Sequence, residues 1–373
     1  MSTPRIEVDL RKIRHNTKTV VERLKTRGIS VNGVTKAVCG HPAVAQAMLD
    51  GGALGLAEAR LSNVQRLRTA GLTSPITLIR TPLLSQANEV VKLCEASYNT
   101  EPVVIAALAA AAIRENTTHG IILMVEMGDL REGILPENLA TIARRVMNMP
   151  GVALKGIGSN FACLSGIAPN ASKMAALCDL ATETEGACGP FLKTVSGGGS
   201  ASLPWALGRQ STGRINDLRL GEAILLGVDP VTGDQIGGLY KSAFTLVAEV
   251  IETDTKPVFP PANCVDPVLV RLRLVPESGY TTRLLLAIGH QDTDVSGLSM
   301  PSGHSFVGAT SDHLVICTSG SPLPVGTEMR FQINYSALMH AMAAPDIETM
   351  LLSDRSPKPS RNIQGTSKDL ALV

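Results

Sequence analysis

Eight short β-type runs alternate with helical segments through the first part of this chain, and that alternation constrains its fold more than any other feature. The runs are Val31 to Ala37, Ala53 to Ala59, Ile76 to Arg80, Ser97 to Thr100, Ile121 to Met127, Lys155 to Phe161, Phe191 to Ser196 and Asp217 to Ala223. Stretches of helical period rich in Ala, Leu, Glu and Arg separate them. Strands that alternate with helices are joined by right-handed crossovers and pair in parallel, so eight such units predict a closed (β/α)8 barrel.

Beyond about Gly237 the texture changes. Helical periodicity fades, and Val, Thr, Pro and Gly punctuate runs at Ser242 to Ile251, Val268 to Leu274, Arg283 to Ile288, His313 to Cys317 and Glu328 to Asn334. That pattern predicts a mainly antiparallel β domain. The expected organisation is a barrel over residues 11–236, a β domain from 1–10 plus 237–352, and a loose polar tail over 353–373. A length of 373 residues also exceeds what one hydrophobic core usually supports.

Charge and cysteine usage exclude several classes. The net charge is +1, with no basic block or basic-aromatic stretch, so neither nucleic acid nor an acidic membrane is an expected partner. The start, Met1-Ser2-Thr3-Pro4-Arg5, lacks the apolar core of a signal peptide, and no apolar stretch is long enough to span a bilayer; a cytoplasmic location is expected. Seven scattered cysteines without a C-x-x-C pair read as reduced thiols, and the seven dispersed histidines form no metal-ligand cluster.

In a barrel, chemistry gathers where strands end and loops begin, on the carboxyl-terminal face. Applied here, that rule collects Lys36, Arg131, Asn160, the segment Ser196-Gly197-Gly198-Gly199-Ser200, Arg219, Gly221 and Glu222. A lysine at the end of a buried strand must be paired, neutralised or consumed chemically, and an imine with a carbonyl cofactor consumes it. A snorkelling surface lysine is the plain alternative. Three consecutive glycines let the backbone approach a ligand closely and present amides to a phosphate monoester. The run lacks the lysine of an ATP-type loop and the G-x-G-x-x-G spacing of a dinucleotide site; its alternative is a simple turn.

These residues also carry a family resemblance. Pro4-Arg5-Ile6-Glu7-Val8-Asp9-Leu10 with Ile13-Arg14-His15-Asn16, and Val34-Thr35-Lys36-Ala37, resemble the opening and the cofactor-lysine motif of alanine-racemase-fold (fold type III) enzymes dependent on pyridoxal 5'-phosphate. The segments Leu123 to Gly133, Gly156 to Phe161, Leu218 to Gly227, Ala287 to Asp292 and Gly308 to Leu314 are similar to the ornithine racemase branch, and the resemblance runs from about residue 4 to about 345. It implies a racemase of amino acids, with ornithine the expected substrate and lysine or others open. It also implies a homodimer whose active site lies at the subunit interface. A decarboxylase or aldolase of the same fold, and a non-catalytic cofactor-binding protein, are the alternatives.

The resemblance implies roles residue by residue. Lys36 would hold the cofactor covalently and act as one acid/base group at Cα. Ser200, Gly199, the amides at Gly221 and Glu222, and Tyr335 would bind phosphate. Arg219 would face the pyridine nitrogen, unless Glu222 reaches it, and Asn160 would sit against the ring where alanine racemases carry histidine. Arg131 would take the substrate carboxylate. Alanine racemases supply the second proton from a partner-subunit tyrosine, but the counterpart near Pro257 to Pro261 has none. Ser311, His290 and Cys163 are the candidates to replace it. Asp312, where related basic amino-acid decarboxylases carry an aspartate, would pair with a distal substrate ammonium; otherwise it orders a turn. Arg80 ends a strand near the site without an assigned role.

Overall fold

Residues 4–189, 191–257 and 279–352 are described by the computed structural model of the protein. The first strand, β1 (Arg5–Val8), is followed by eight strands that close into a parallel barrel. These are β2 (Ser30–Val34), β3 (Gly55–Glu58), β4 (Ile76–Leu78), β5 (Ala96–Asn99), β6 (His119–Val125), β7 (Val152–Ser159), β8 (Thr194–Ser196) and β9 (Asp217–Leu220). All eight expected strands are present. Several stop short of the apolar runs that announced them, because the last residues of those runs turn into the loops at the barrel mouth. Val31 to Ala37 is the clearest case: the strand ends at Val34, and Lys36–Val38 forms a 3-10 turn.

Burial explains the run composition. A parallel barrel strand is covered by helices outside and by packed side chains inside, so it reads as continuously apolar. Every residue of β6 is buried. The outer layer is built from amphipathic helices such as Leu10–Lys25, which buries Ile13, Val20 and Leu24 and is capped by Asp9 accepting from the amides of Arg11 and Lys12. Each fully buried aliphatic side chain of this kind contributes about 1.5–3 kcal/mol.

The remaining strands are β10 (Phe244–Pro257), β11 (Tyr280–Leu286), β12 (Leu298–Ser299), β13 (His304–Ala309), β14 (Leu314–Thr318), β15 (Glu328–Ile333) and β16 (Glu348–Leu351). They join in the order β12-β15-β10-β11-β14-β13, all antiparallel along that path, while β1 lies antiparallel to β10 and parallel to β16. Arg5 and Glu7 on β1 are buried, and their charges are met by each other and by Glu328 and Arg330 on β15. Glu328 and Arg330 are part-exposed, so the cost falls on the buried pair: removing Arg5 or Glu7 would leave the other's buried charge under-compensated, at a cost of up to about 3–5 kcal/mol. The run Val268 to Leu274 and the tail 353–373 lie outside the described residues.

One segment departs from the expected β texture. Tyr335–Ala343 is a helix, started by Asn334 accepting from the Ala337 amide at 2.9 Å. Its Ala, Leu and Met content favours a helix over a strand. The helix packs against the Lys36–Val38 turn, so the β domain reaches the barrel mouth through it.

Candidate active site

Lys36 is placed by the fold rather than by its own contacts. The strand before it ends in Thr35, which is fully buried and donates through Oγ1 to Glu58 Oε2 at 2.7 Å. Glu58, at the end of β3, also accepts from the amides of Ala59 and Arg60 and from Asn63. Burial raises the Glu58 carboxyl, and these donors offset part of the rise. The two strand ends are thereby pinned together, and Lys36 emerges half-buried with Nζ 5.7 Å from the Tyr335 ring centre. Burial, with the nearby charges of Glu222, Glu58 and Cys163, keeps the Tyr335 phenol protonated well above its ordinary range.

Two loops after β8 and β9 form the adjoining wall. Gly198 takes φ +99°, a conformation that side chains rarely adopt. A Cβ at Gly199 would meet just the Arg219 carbonyl, at 3.4 Å, so this part of the loop is open to close approach. Ser200 Oγ accepts from the amides of Gly221 and Ala223 at 3.3 and 3.1 Å, stitching the glycine run to the start of the helix Glu222–Leu226. Burial pushes the Glu222 carboxyl up to about 7, with neighbouring Lys36 opposing the rise and Asp229 adding to it.

Arg219 occupies the barrel interior on the other side. It is 6% exposed, and Nη2 donates to the Ser159 carbonyl at 2.6 Å and to Asn160 Oδ1 at 3.1 Å. Its guanidinium lies 4.4 Å from the ring centre of Tyr98, a cation over an aromatic face. Among the described residues its buried Nε has no hydrogen-bond partner. Glu222 interacts with Lys36 and Tyr335, and Arg219 with Asn160 and Tyr98, so the two candidates for the pyridine nitrogen sit in different surroundings.

The loop after β6 carries Arg131. Glu126 Oε1 accepts from the amides of Gly128 and Leu130, which folds this loop, and Asp129 Oδ1 accepts from Cys163, Leu164 and Ser165 of the loop after β7. Burial opposes the Asp129 charge, but the three amides hold its carboxyl below the ordinary value. The clamp brings Arg131 against Cys163 Sγ and against Glu132, whose Oε1 also accepts from Asn160 Nδ2 at 3.0 Å.

Lys36, Arg131, Asn160, Gly199, Ser200, Arg219, Gly221, Glu222 and Tyr335 therefore belong to one region, the barrel mouth and the helix leaning on it. His290, Ser311 and Asp312 form a separate group. All three are exposed; the His290 amide donates to the Thr310 carbonyl at 3.0 Å, and Ser311 Oγ donates to Asp312 Oδ2 at 2.6 Å. Their two turns pack so closely that a Cβ at Gly289 would lie 2.2 Å from the Ser311 carbonyl. Among the described residues no hydrogen bond or ion pair joins this group to Lys36. Asp312 is thus an exposed turn residue in the single chain. Arg80 is exposed and lines a shallow cleft with Arg60 beside the mouth. Of the segment near Pro257 to Pro261, residues 258–261 lie outside the described residues.

Sequence reasoning overlooked Tyr98, Glu58 and Glu132. Tyr98 carried a signal, since it is the large residue of a barrel strand whose neighbours Ser97 and Asn99 are polar. Glu58, the one charged residue inside the run Ala53 to Ala59, and Glu132, next to Arg131, carried none beyond those positions.

Comparison with known proteins gives a consistent picture. The family model described as alanine racemase, N-terminal domain, matches residues 8–230. A lysine racemase of Thermotoga maritima is 34% identical over 350 residues, covering 93% of this chain and 98% of that protein. An ornithine racemase of Acetoanaerobium sticklandii is 31% identical over 354 residues, covering 94% and 99%. The solved alanine racemase of Clostridium difficile 630 superposes with a TM-score of 0.75 at 17% identity over 95% of this chain and 97% of that one.

Proposed function

This chain belongs to the alanine racemase family of pyridoxal 5'-phosphate-dependent amino-acid racemases, and from that premise we propose that it racemises the diamino acids ornithine and lysine as a cytoplasmic homodimer. The observation that carries the substrate class is the full-length similarity to two racemases named for diamino acids. The acidic turns support it. Burial raises the Asp292 carboxyl, the Gly289 amide offsets part of that, and the nearby charges of Asp346 and Asp312 add to the rise; a cation placed beside these carboxylates would relieve their repulsion. The six described cysteines are free, which suits a reducing compartment. No helix among the described residues is long and apolar enough to cross a membrane.

The residues at the mouth fit the cofactor. A lysine amine stands beside a tyrosine, the glycine loop leaves room for close backbone approach, and Arg219 has a buried donor without a partner. When bound, pyridoxal phosphate supplies an aldehyde that captures amines and a ring that accepts the electrons left at Cα. Lys36 Nζ would anchor it and move the Cα proton on one face. Gly199, Ser200, the amides at Gly221 and Glu222, and the Tyr335 hydroxyl would hold the phosphate. Arg219 would donate toward the pyridine nitrogen, and a guanidinium there would not pass its proton on. Asn160 would flank the ring, and Arg131 would pair with the substrate carboxylate.

The opposite face needs a second proton carrier. Because His290, Ser311 and Asp312 are exposed and remote from Lys36 in bonding terms, we assign them to the site of a second copy, with Ser311 or His290 moving the proton and Asp312 meeting the distal ammonium. Cys163 is the alternative within the same chain, on the ground that its Sγ touches Arg131. The test is α-proton exchange in heavy water, followed by proton NMR across L- and D-ornithine, lysine and alanine. Exchange and inversion of both diamino acids is expected, and inversion of alanine alone would refute the substrate class. Variants Ser311→Ala, His290→Gln and Cys163→Ala then identify the second carrier as the one whose loss abolishes inversion while exchange from one enantiomer persists.

A further inference from the structure

Glu132 is used by none of the roles above, yet it is the branch point of the polar contacts across the barrel mouth. Its Oε2 accepts from Arg131 Nε, and its Oε1 accepts from both Arg131 Nη2 and, at 3.0 Å, Asn160 Nδ2. Asn160 Oδ1 in turn accepts from Arg219 Nη2 at 3.1 Å. We propose that Glu132 is a positioning residue that fixes Arg131 on one side and, through Asn160, Arg219 on the other. This rests on the reading of Arg131 as the carboxylate anchor and of Arg219 as the partner of the ring nitrogen.

The chemistry of the donors and acceptors gives this line a single polarity. A carboxylate accepts hydrogen bonds and a guanidinium donates them, so an amide between the two has one orientation that satisfies both neighbours. Asn160 is held in that orientation from both ends. Turning it over would set its NH2 against Arg219 and its carbonyl against Glu132, and both contacts would become repulsive. Glu132 also covers the Nε–Nη2 edge of Arg131, which leaves Nη1 to the incoming carboxylate. Cys163 Sγ is the group now touching Nη1, and a thiol is a weak acceptor that a carboxylate displaces readily.

The test uses the cofactor-loaded enzyme and two readouts other than turnover. The first is the Kd of 5-aminopentanoate, which has the carboxylate and distal ammonium of ornithine but no α-amine to react with the cofactor. The second is the absorbance maximum of the bound cofactor, which reports on the group facing the ring nitrogen. Glu132→Gln, nearly the same shape, is expected to weaken 5-aminopentanoate by about tenfold and to shift the absorbance maximum, with the thermal midpoint retained. In an Asn160→Ala background, which alters the spectrum by itself, Glu132→Gln is expected to give no further spectral shift, because Glu132 reaches Arg219 only through Asn160. A change in one readout without the other, or fully additive shifts, would overturn the proposal. Arg131→Lys separates this from the reading beneath it. An unchanged Kd in Arg131→Lys refutes the carboxylate assignment, whereas a weakened Kd there beside an unchanged one in Glu132→Gln refutes the role of Glu132.

Discussion

Asp312→Asn is the substitution that asks most of the proposed homodimer. The side chain keeps its size, and its Oδ1 can still accept the bond that Ser311 Oγ now gives at 2.6 Å, so the turn keeps its shape while the charge disappears. In the single chain Asp312 is exposed. An ion pair formed there with a substrate ammonium would be worth no more than about 1 kcal/mol, since water and salt screen it. Covered by a second subunit at the mouth of the barrel, the same pair becomes a shielded charge-assisted hydrogen bond worth about 1.5–3 kcal/mol. At 1.4 kcal/mol per factor of ten, that lowers kcat/KM for ornithine by about 10- to 150-fold. Alanine has no distal ammonium, so its kcat/KM should hardly change. The assay is the ratio of kcat/KM for ornithine to that for alanine, in wild type and variant, from coupled or polarimetric initial rates. A fall in the ratio below fivefold would place the aspartate in water and remove the shielded pair, and an unchanged ratio would remove Asp312 from substrate recognition altogether.

Other expectations follow from the same geometry. Lys36→Ala should lose both racemisation and the borohydride-trappable attachment of the cofactor; a trapped adduct in that variant would mean a different lysine carries it. Tyr98→Leu removes the face over Arg219 and leaves space in the barrel interior, costing about 2–3 kcal/mol in urea unfolding, whereas Tyr98→Phe keeps the face and should cost under about 1. Equal losses in the two variants would show that the stacked ring contributes nothing specific. His119 is buried against Ser97 Oγ at 2.8 Å, and burial lowers its imidazole from 6.5 to about 4, the Cys94 backbone partly opposing. A lowered folded value means stability that is present above pH 6.5 and is lost as pH falls through about 4, in total about 3 kcal/mol. His119→Gln should therefore show a shallower acid limb in a plot of unfolding free energy against pH, and identical limbs would refute the assignment.

Much of this protein can be read from its residue order, because the relevant forces are local. Period-two and period-3.6 patterns mark which residues face a core, and eight alternating units leave few topologies besides a barrel. The mouth residues follow from that, since strand ends are positions in sequence: Lys36 after β2, Arg131 after β6, Ser200 after β8 and Arg219 on β9 could all be named before any coordinates. The helix Tyr335–Ala343 is also legible in its Ala, Leu and Met content, although it follows directly on a run of β texture that ends at Asn334. What the tertiary structure alone decided is which polar groups meet. Glu132, Asn160 and Arg219 lie on three different strand–loop units, Tyr98 on a fourth, and the turns carrying Gly289 and Ser311 come together across a sheet. Hydrogen bonds and cation–aromatic contacts act over a few ångströms and leave no periodic trace in sequence. Their partners are chosen by barrel closure and sheet order, which bring distant strand ends within reach of one another.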